Sequence, residues 1–157
     1  MDFPDIFPFH GNWQTYVEEL YTIYINEIVN INLSYDGFPI RFRFHPLTRG
    51  KGYGFWHIIQ EGSIEEEREP DLRRCERIRW ISWIIRNANN NAVISIWEET
   101  RGTETNVILW IEEKNYLVIL EKRYGYYLLK TAYYTERRHK IETLKKNRDA
   151  YWKSQKC

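Results

Sequence analysis

Apolar residues recur at three- and four-residue spacing in two parts of the chain, and this spacing predicts two helices. The first is expected over residues 13–30, with Asn12 or Gly11 as its cap. The second is expected over residues 71–88 and ends at a run of asparagines. The strongly charged segment 136–153 predicts a closing helix or a helical tail.

Alternating apolar and polar residues predict the strands. The pair Asp36-Gly37 is typical of a tight hairpin turn before the alternating segment 40–44. The short apolar run 55–60, which contains His57, is also predicted to be a strand. Four more strands are expected at 92–98, 106–112, 116–122 and 126–134. This order predicts one α+β domain in which N-terminal helices pack on a four-stranded antiparallel β-meander.

The composition agrees with a single domain over residues 1–157, because 17% of the residues are aromatic and supply a large core. Within it, residues 1–40 would form the first helix and the start of the hairpin, and 140–157 a basic C-terminal helix or tail. Cys75 and Cys157 are expected to be free thiols in a reducing cytoplasm. No signal peptide and no apolar run of about 20 residues is present, so no membrane association is expected.

Charge is distributed unevenly along the chain. Residues 1–70 contain five Lys/Arg and eleven Asp/Glu, whereas residues 121–157 contain eleven Lys/Arg and four Asp/Glu. A basic segment of this kind is able to bind a polyanion such as RNA. The alternative interpretation is a solvated helix face whose charge the acidic half offsets in the folded protein.

His57 is the main candidate for chemistry. Histidine has an ordinary pKa near 6.5, so it can take a proton from a ribose 2′-OH or give one to a leaving oxygen. Three alternating glycines precede it and would let a phosphate backbone come close. The alternative is a structural histidine tied to a carbonyl. The four histidines show no metal-binding spacing, so neither a metal nor a cofactor is expected.

Two further segments contain candidate phosphate ligands. In the strand 126–134, simple alternation places Thr131 and Tyr133 on the same face as Tyr127, and Arg123 just before it would supply a fixed charge. The alternative is a half-buried strand with tyrosines at its rim. The helix over 71–88 contains Arg73, Arg77 and Arg79, which would contact phosphates or would pair with nearby acidic residues.

Four strings together resemble a known family: FWHI, DLRRCERIRWISWII, EETRGTETNVILWIEEKNYLVILEKR and GYYLLKTAYY. They are similar to the phage branch of the barnase/EndoU/colicin/RelE-like (BECR) nuclease superfamily. The resemblance covers residues 44–139. It implies a barnase-like or RelE-like fold and a nuclease core over residues 41–139. It also implies RNA cleavage without a metal, through a 2′,3′-cyclic phosphate.

The resemblance also implies roles for individual residues. His57 would be the principal acid or base, and His139 would be the second proton-transfer group. Arg123 would stabilise the transition state, while Thr131, with Tyr133 or Tyr134, would position the phosphate. The residues and the resemblance taken together assign RNA binding to Lys122, Lys130, Tyr134, Arg73, Arg77 and Arg79.

The expected function is therefore that of a cytoplasmic phage or mobile-element toxin that acts on tRNA or mRNA, with an antitoxin or immunity protein as a possible partner. Two alternatives remain open. One is a non-catalytic nucleic-acid-binding module that retains the fold, since tyrosines and basic side chains alone bind single strands. The other is a structural phage component that assembles through a tyrosine-rich edge.

Overall fold

The computed structural model describes residues 3–62 and 68–156. The helices are α1 (Trp13–Glu27), α2 (Tyr53–Ile59), α3 (Leu72–Glu76), α4 (Ile78–Asn87) and α5 (Arg138–Ser154). The strands are β1 (Ser34–Tyr35), β2 (Phe38–Arg41), β3 (Gln60–Glu61), β4 (Glu69–Pro70), β5 (Ser95–Arg101), β6 (Glu104–Ile111), β7 (Tyr116–Arg123) and β8 (Tyr126–Tyr134). Among the described residues, no helix is both long enough and apolar enough to cross a membrane. Residues 63–67, which the sequence predicts to be part of an acidic loop, lie outside the described residues. Cys157, which is predicted to be a free thiol, also lies outside them.

The main sheet has six strands in the order β1-β2-β8-β7-β6-β5, so the α+β class is confirmed. The prediction of a four-stranded antiparallel meander was wrong. Strands β5 to β8 do pair antiparallel, but β2 adds to β8 in parallel through Ile40↔Tyr127 and Arg41↔Leu128. The hairpin joins the sheet because Ile40 is buried in the core, 7% exposed, when β2 lies beside β8. Ile40 pairs with Tyr127, which is almost ninety positions away in the chain. No local sequence pattern predicts this pairing.

The sheet separates two hydrophobic clusters. Its inner face packs against α1, α2 and α4 in the large core, which includes Leu20, Ile81 and Val118. Its outer face carries a smaller cluster around Trp97 and Trp110, which α5 covers. Further members of the outer cluster are Ile108, Leu117 and Leu144, with Ile119, Tyr133, Ile141 and Tyr151 partly buried against it. The prediction that N-terminal helices pack on the sheet is therefore confirmed, and α5 adds a second layer on the other face.

The segment around His57 is a helix, α2, and not the predicted strand. Phe55, Trp56, Ile58 and Ile59 are each at most 6% exposed, so this short run is buried on more than one side. A run that is apolar throughout has no period that distinguishes a strand from a helix. The sequence pattern was therefore ambiguous at this point.

The second predicted helix is divided into α3 and α4 at Arg77. Asp71 caps α3 by accepting hydrogen bonds from the backbone N–H groups of Arg73 and Arg74, at 2.9 and 3.4 Å. Arg77 leaves the helical conformation, with φ −103° and ψ 15°, and α4 begins at the next residue. The apolar periodicity continues across this break, which is why the sequence predicted one helix.

A β-bulge in β8 reverses the alternation that the sequence predicted for this strand. The register pairs Ile119 with Thr131 but Leu120 with Leu129, so Lys130 has no partner on β7. The extra residue moves the following side chains to the opposite face. Leu129 therefore packs in the inner core, whereas Tyr133 packs in the outer cluster. The prediction that Thr131 and Tyr133 lie on the same face as Tyr127 was wrong for this reason.

Two fully buried tyrosines are expected to respond differently when each is replaced by phenylalanine. Tyr16 and Tyr116 are both 0% exposed. The Tyr16 hydroxyl donates to the Phe7 carbonyl oxygen at 2.6 Å, whereas the Tyr116 hydroxyl has no hydrogen-bond partner among the described residues. We expect Tyr16→Phe to lower the free energy of unfolding by about 1 kcal/mol, since it removes a made hydrogen bond. Tyr116→Phe should leave it unchanged or raise it by up to about 1 kcal/mol, since it removes an unpaired buried hydroxyl. Urea denaturation of the two variants checks this, and a larger loss in Tyr116→Phe would contradict it.

Candidate functional site

The outer face of the sheet is covered by α5 at one end only. At the other end, Glu104 projects from β6 on this face, and Glu121 and Arg123 project from β7. Along each strand these residues alternate with residues that point into the inner core. The helix α2 packs against β8 and borders the same region. Between them lies a cleft of about 380 Å³. It is lined by Arg43, Tyr53, Gly54, His57, Glu104, Glu121, Arg123, Leu128, Leu129 and Lys130.

Two glycines bring α2 close to the segment that follows β2. A Cβ added at Gly54 would lie 3.0 Å from the Arg43 carbonyl oxygen, and one at Gly52 would lie 3.1 Å from the Phe44 Cα. The Gly54 backbone N–H donates to the Arg43 carbonyl oxygen at 2.7 Å. These glycines therefore allow a close approach of the protein's own backbone. From the sequence, they were expected to allow the approach of a phosphate backbone. Their effect is to bring Arg43 into the lining of the cleft.

His57 lies on α2 one turn after Tyr53, and the two rings stack with their centroids 4.2 Å apart. The Arg43 guanidinium lies over the same Tyr53 ring, 3.9 Å from its centroid. This aromatic side chain therefore aligns a cation and an imidazole along one wall of the cleft. The contact also limits the orientations that the His57 ring adopts.

The C-terminal end of α2 is fixed through the main-chain carbonyl of His57. This oxygen accepts hydrogen bonds from the Thr131 hydroxyl at 3.1 Å and from the Arg74 guanidinium at 3.0 Å. A third donor, Arg68, lies 3.3 Å away. The last carbonyls of a helix have no partners within the helix, so these side chains satisfy groups that would otherwise be unpaired. Thr131 and Arg74 thus hold the helix that carries the imidazole.

The opposite wall of the cleft is a network of paired charges. Lys130, the bulge residue, forms an ion pair with Glu104, and its Nζ lies 4.0 Å from the Glu121 carboxylate. Arg123 pairs with Glu121, which is 8% exposed. The hydrogen bond from Lys130 holds the pKa of Glu104 below its ordinary value. Two carboxylates and two cations therefore face the Tyr53–His57 wall.

The structure brings three of the predicted site residues into this cleft, namely His57, Arg123 and Lys130. It places the others elsewhere. The Thr131 hydroxyl donates a hydrogen bond to the His57 carbonyl, and Tyr133 packs in the outer cluster. Lys122 is exposed and lies 3.9 Å from Glu98. His139 is exposed in the first turn of α5, and its carbonyl accepts from Thr143.

The predicted RNA-binding arginines Arg73, Arg77 and Arg79 are each paired with a carboxylate of the protein. Arg73 and Arg77 both contact Glu76, at 3.4 and 3.1 Å. Arg79 binds Glu27 of α1 through two hydrogen bonds of 3.0 and 3.1 Å. Tyr134 lies under the Arg77 guanidinium, 4.2 Å from its ring centroid, and its hydroxyl donates to Glu136. These side chains join the helices to one another and to β8, and they do not line the cleft.

Four polar or charged residues of the cleft were not predicted from the sequence as site residues: Arg43, Tyr53, Glu104 and Glu121. Tyr53 had a local signal, because it precedes His57 by four residues and would share its face if the segment were taken as a helix. Glu104 and Glu121 had none, because each looks like an ordinary polar residue of a half-exposed strand. They meet only where β6 and β7 pair.

Within residues 3–62 and 68–156, no group of three or more His, Cys, Asp or Glu side chains is arranged to hold a metal ion. No protein-family model, curated protein or solved structure matches this chain. The resemblance to the nuclease superfamily therefore remains a prediction from the sequence, and the interpretation of the cleft depends on its geometry.

The lowered pKa of Glu104 predicts how stability changes with pH. Because the folded-state pKa lies below the ordinary value of 4.5, the Glu104–Lys130 pair stabilises the fold above that pH and loses its effect as the pH falls. Glu104→Gln should therefore lower the melting temperature at pH 7, and the difference from wild type should shrink as the pH falls toward 3. Thermal melts across this range measure it.

The matched control is Glu113→Gln, because Glu113 is exposed and forms no ion pair among the described residues. Its difference from wild type should be small at every pH. A difference for Glu104→Gln that stays constant from pH 7 to pH 3 would contradict the prediction.

Proposed function

We propose that this protein is an endoribonuclease that cleaves RNA without a metal ion, through a 2′,3′-cyclic phosphate. The observation that supports this most directly is the composition of the cleft. One imidazole, two carboxylates and three cations from distant parts of the chain line a single space of about 380 Å³. Proton transfer and stabilisation of a charged phosphorane require these groups together.

In the proposed reaction, the Glu121 carboxylate accepts the proton of the ribose 2′-OH, and the 2′-oxygen forms a bond to phosphorus. The bond from phosphorus to the 5′-oxygen breaks, and protonated His57 donates its proton to that oxygen. The products are a 2′,3′-cyclic phosphate and a 5′-hydroxyl. We assign the base to Glu121 because the Glu104 carboxylate accepts hydrogen bonds from both Lys130 and Asn106. Glu121 is paired with Arg123, the cation that would turn to the phosphate in this reaction.

The cations of the cleft would stabilise the negative charge that develops on phosphorus. Arg43 is suited to this role because its guanidinium is held on the Tyr53 ring and its Nε–H donates to the His45 carbonyl at 3.1 Å. Its terminal amino groups make no hydrogen bond to the described residues. Arg123 and Lys130 would reach the phosphate from the opposite wall, where each now contacts a carboxylate.

The test is incubation of the purified protein with total RNA in excess EDTA. Wild type should produce discrete fragments with 2′,3′-cyclic phosphate ends, detected by mass spectrometry. His57→Ala should reduce the rate by about 10²–10⁴-fold, the usual contribution of a general acid or base. Circular dichroism should show that the variant keeps its fold.

His139→Ala is the matched control, since it removes an imidazole that is exposed on α5 and outside the cleft. We expect it to keep its rate within about twofold, because it leaves every group of the proposed acid–base chemistry in place. Full activity in His57→Ala would contradict the proposal. RNA binding by wild type with no product would instead favour a non-catalytic binding module.

A further inference from the structure

A second pocket lies beside the cleft on the outer face of the sheet. It has a volume of about 240 Å³ and is formed between α5 and strands β5 to β8. Lys130 lines both spaces, so the bulge residue is the boundary between them. The cleft and the pocket therefore adjoin on one face of the sheet.

The charges of the pocket are those of an anion-binding surface. Arg101, Lys130 and Lys140 face one carboxylate, that of Glu99. The Oε2 atom of Glu99 accepts hydrogen bonds from the Trp97 indole at 2.8 Å and from Asn147 at 3.2 Å. The three cations therefore outnumber the single carboxylate of the pocket. Arg101 and Lys140 form no ion pair with a carboxylate of residues 3–62 or 68–156.

The remaining lining is apolar and aromatic. Ile108 and Leu117 are buried residues of the lining. Tyr133 is partly buried against the outer cluster, and its ring centroid lies 5.8 Å from the Lys140 ammonium and 5.4 Å from the Arg74 guanidinium. Single-stranded nucleic acids are bound in this way, with cations along the backbone and an aromatic ring on which an unpaired base stacks. A paired base is not available to enter a pocket between a helix and a sheet.

We infer that this pocket binds nucleotides that flank the cleaved phosphate, so that the substrate is single-stranded RNA lying from the cleft across Lys130 to α5. The inference rests on the proposed function for the position of the cleaved phosphate. It adds a substrate class and two residues, Arg101 and Lys140, that bind the strand without taking part in the chemistry.

The experiment measures binding of a ten-nucleotide 2′-O-methyl RNA, which has no free 2′-OH and is not cleaved by this chemistry. Fluorescence anisotropy between 50 and 200 mM salt gives the slope of the logarithm of the association constant against the logarithm of salt concentration. Each phosphate contact on a single strand contributes about −0.7 to this slope. Arg101→Ala combined with Lys140→Ala should therefore make the slope less steep by about 1.4 and weaken binding roughly tenfold at low salt.

The matched control is Arg86→Ala combined with Lys146→Ala. Both side chains are exposed, on α4 and α5, and neither lines the cleft or the pocket. The control should keep the wild-type slope. An equal slope for the two double variants would overturn the inference, as would a poly-glutamate peptide that binds wild type more tightly than the RNA does.

Cleavage is measured separately on a dinucleotide, which has no flanking nucleotide. The pocket variant should cleave it at the wild-type rate. If the RNA binds with the expected slopes but the dinucleotide and total RNA are not cleaved, the proposed function fails and the binding site stands. If cleavage is normal but the slopes do not differ, the binding site fails and the proposed function stands.

Discussion

The hydrogen bonds that hold the end of α2 against β8 determine the rest of the site. β2 pairs with β8 at two positions only, so β8 beyond Leu128 has a strand on one side and helices on the other. The Thr131 hydroxyl and the Arg74 guanidinium both donate to the His57 carbonyl. These contacts satisfy the helix end and cover the free edge of β8. They also place the His57 imidazole beside the charged residues of the outer face. The contacts that stabilise the helix end therefore also position the candidate acid.

The incomplete cover of the outer face explains why charged residues occur in the middle of a sheet. α5 packs on the cluster around Trp97 and Trp110, and its Trp152 indole donates to the Ile96 carbonyl on the edge strand β5 at 2.8 Å. Beyond this helix lies the cleft, and ionised side chains are tolerated there because they pair with one another, although Glu121 is only 8% exposed. Glu104 and Glu121 share Lys130 in this region. In the proposed function, the cations of this region would exchange an internal carboxylate for the phosphate of the RNA.

The bulge at Lys130 has two consequences that follow from one extra residue. It turns the side chains after it to the opposite face, which buries Ala132 in the inner core and Tyr133 in the outer cluster. It also leaves Lys130 between the cleft and the neighbouring pocket. Bulges commonly reorient side chains beside functional sites. In this protein the same irregularity connects the proposed site of cleavage with the proposed site for the flanking strand.

The sequence by itself determined the elements whose signals are local. It predicted the start of α1 at Trp13, where Asn12 caps the helix, and both ends of β8, where turn residues and alternation mark the boundaries. It also selected His57 as the imidazole of interest. Tertiary structure alone decided that the buried run around His57 is a helix, that β2 joins the sheet, and that Glu104 and Glu121 meet in the cleft. The reason is physical: periodicity reports which face of an element is buried, whereas pairing partners and the contacts of a short buried segment depend on residues far away in the chain.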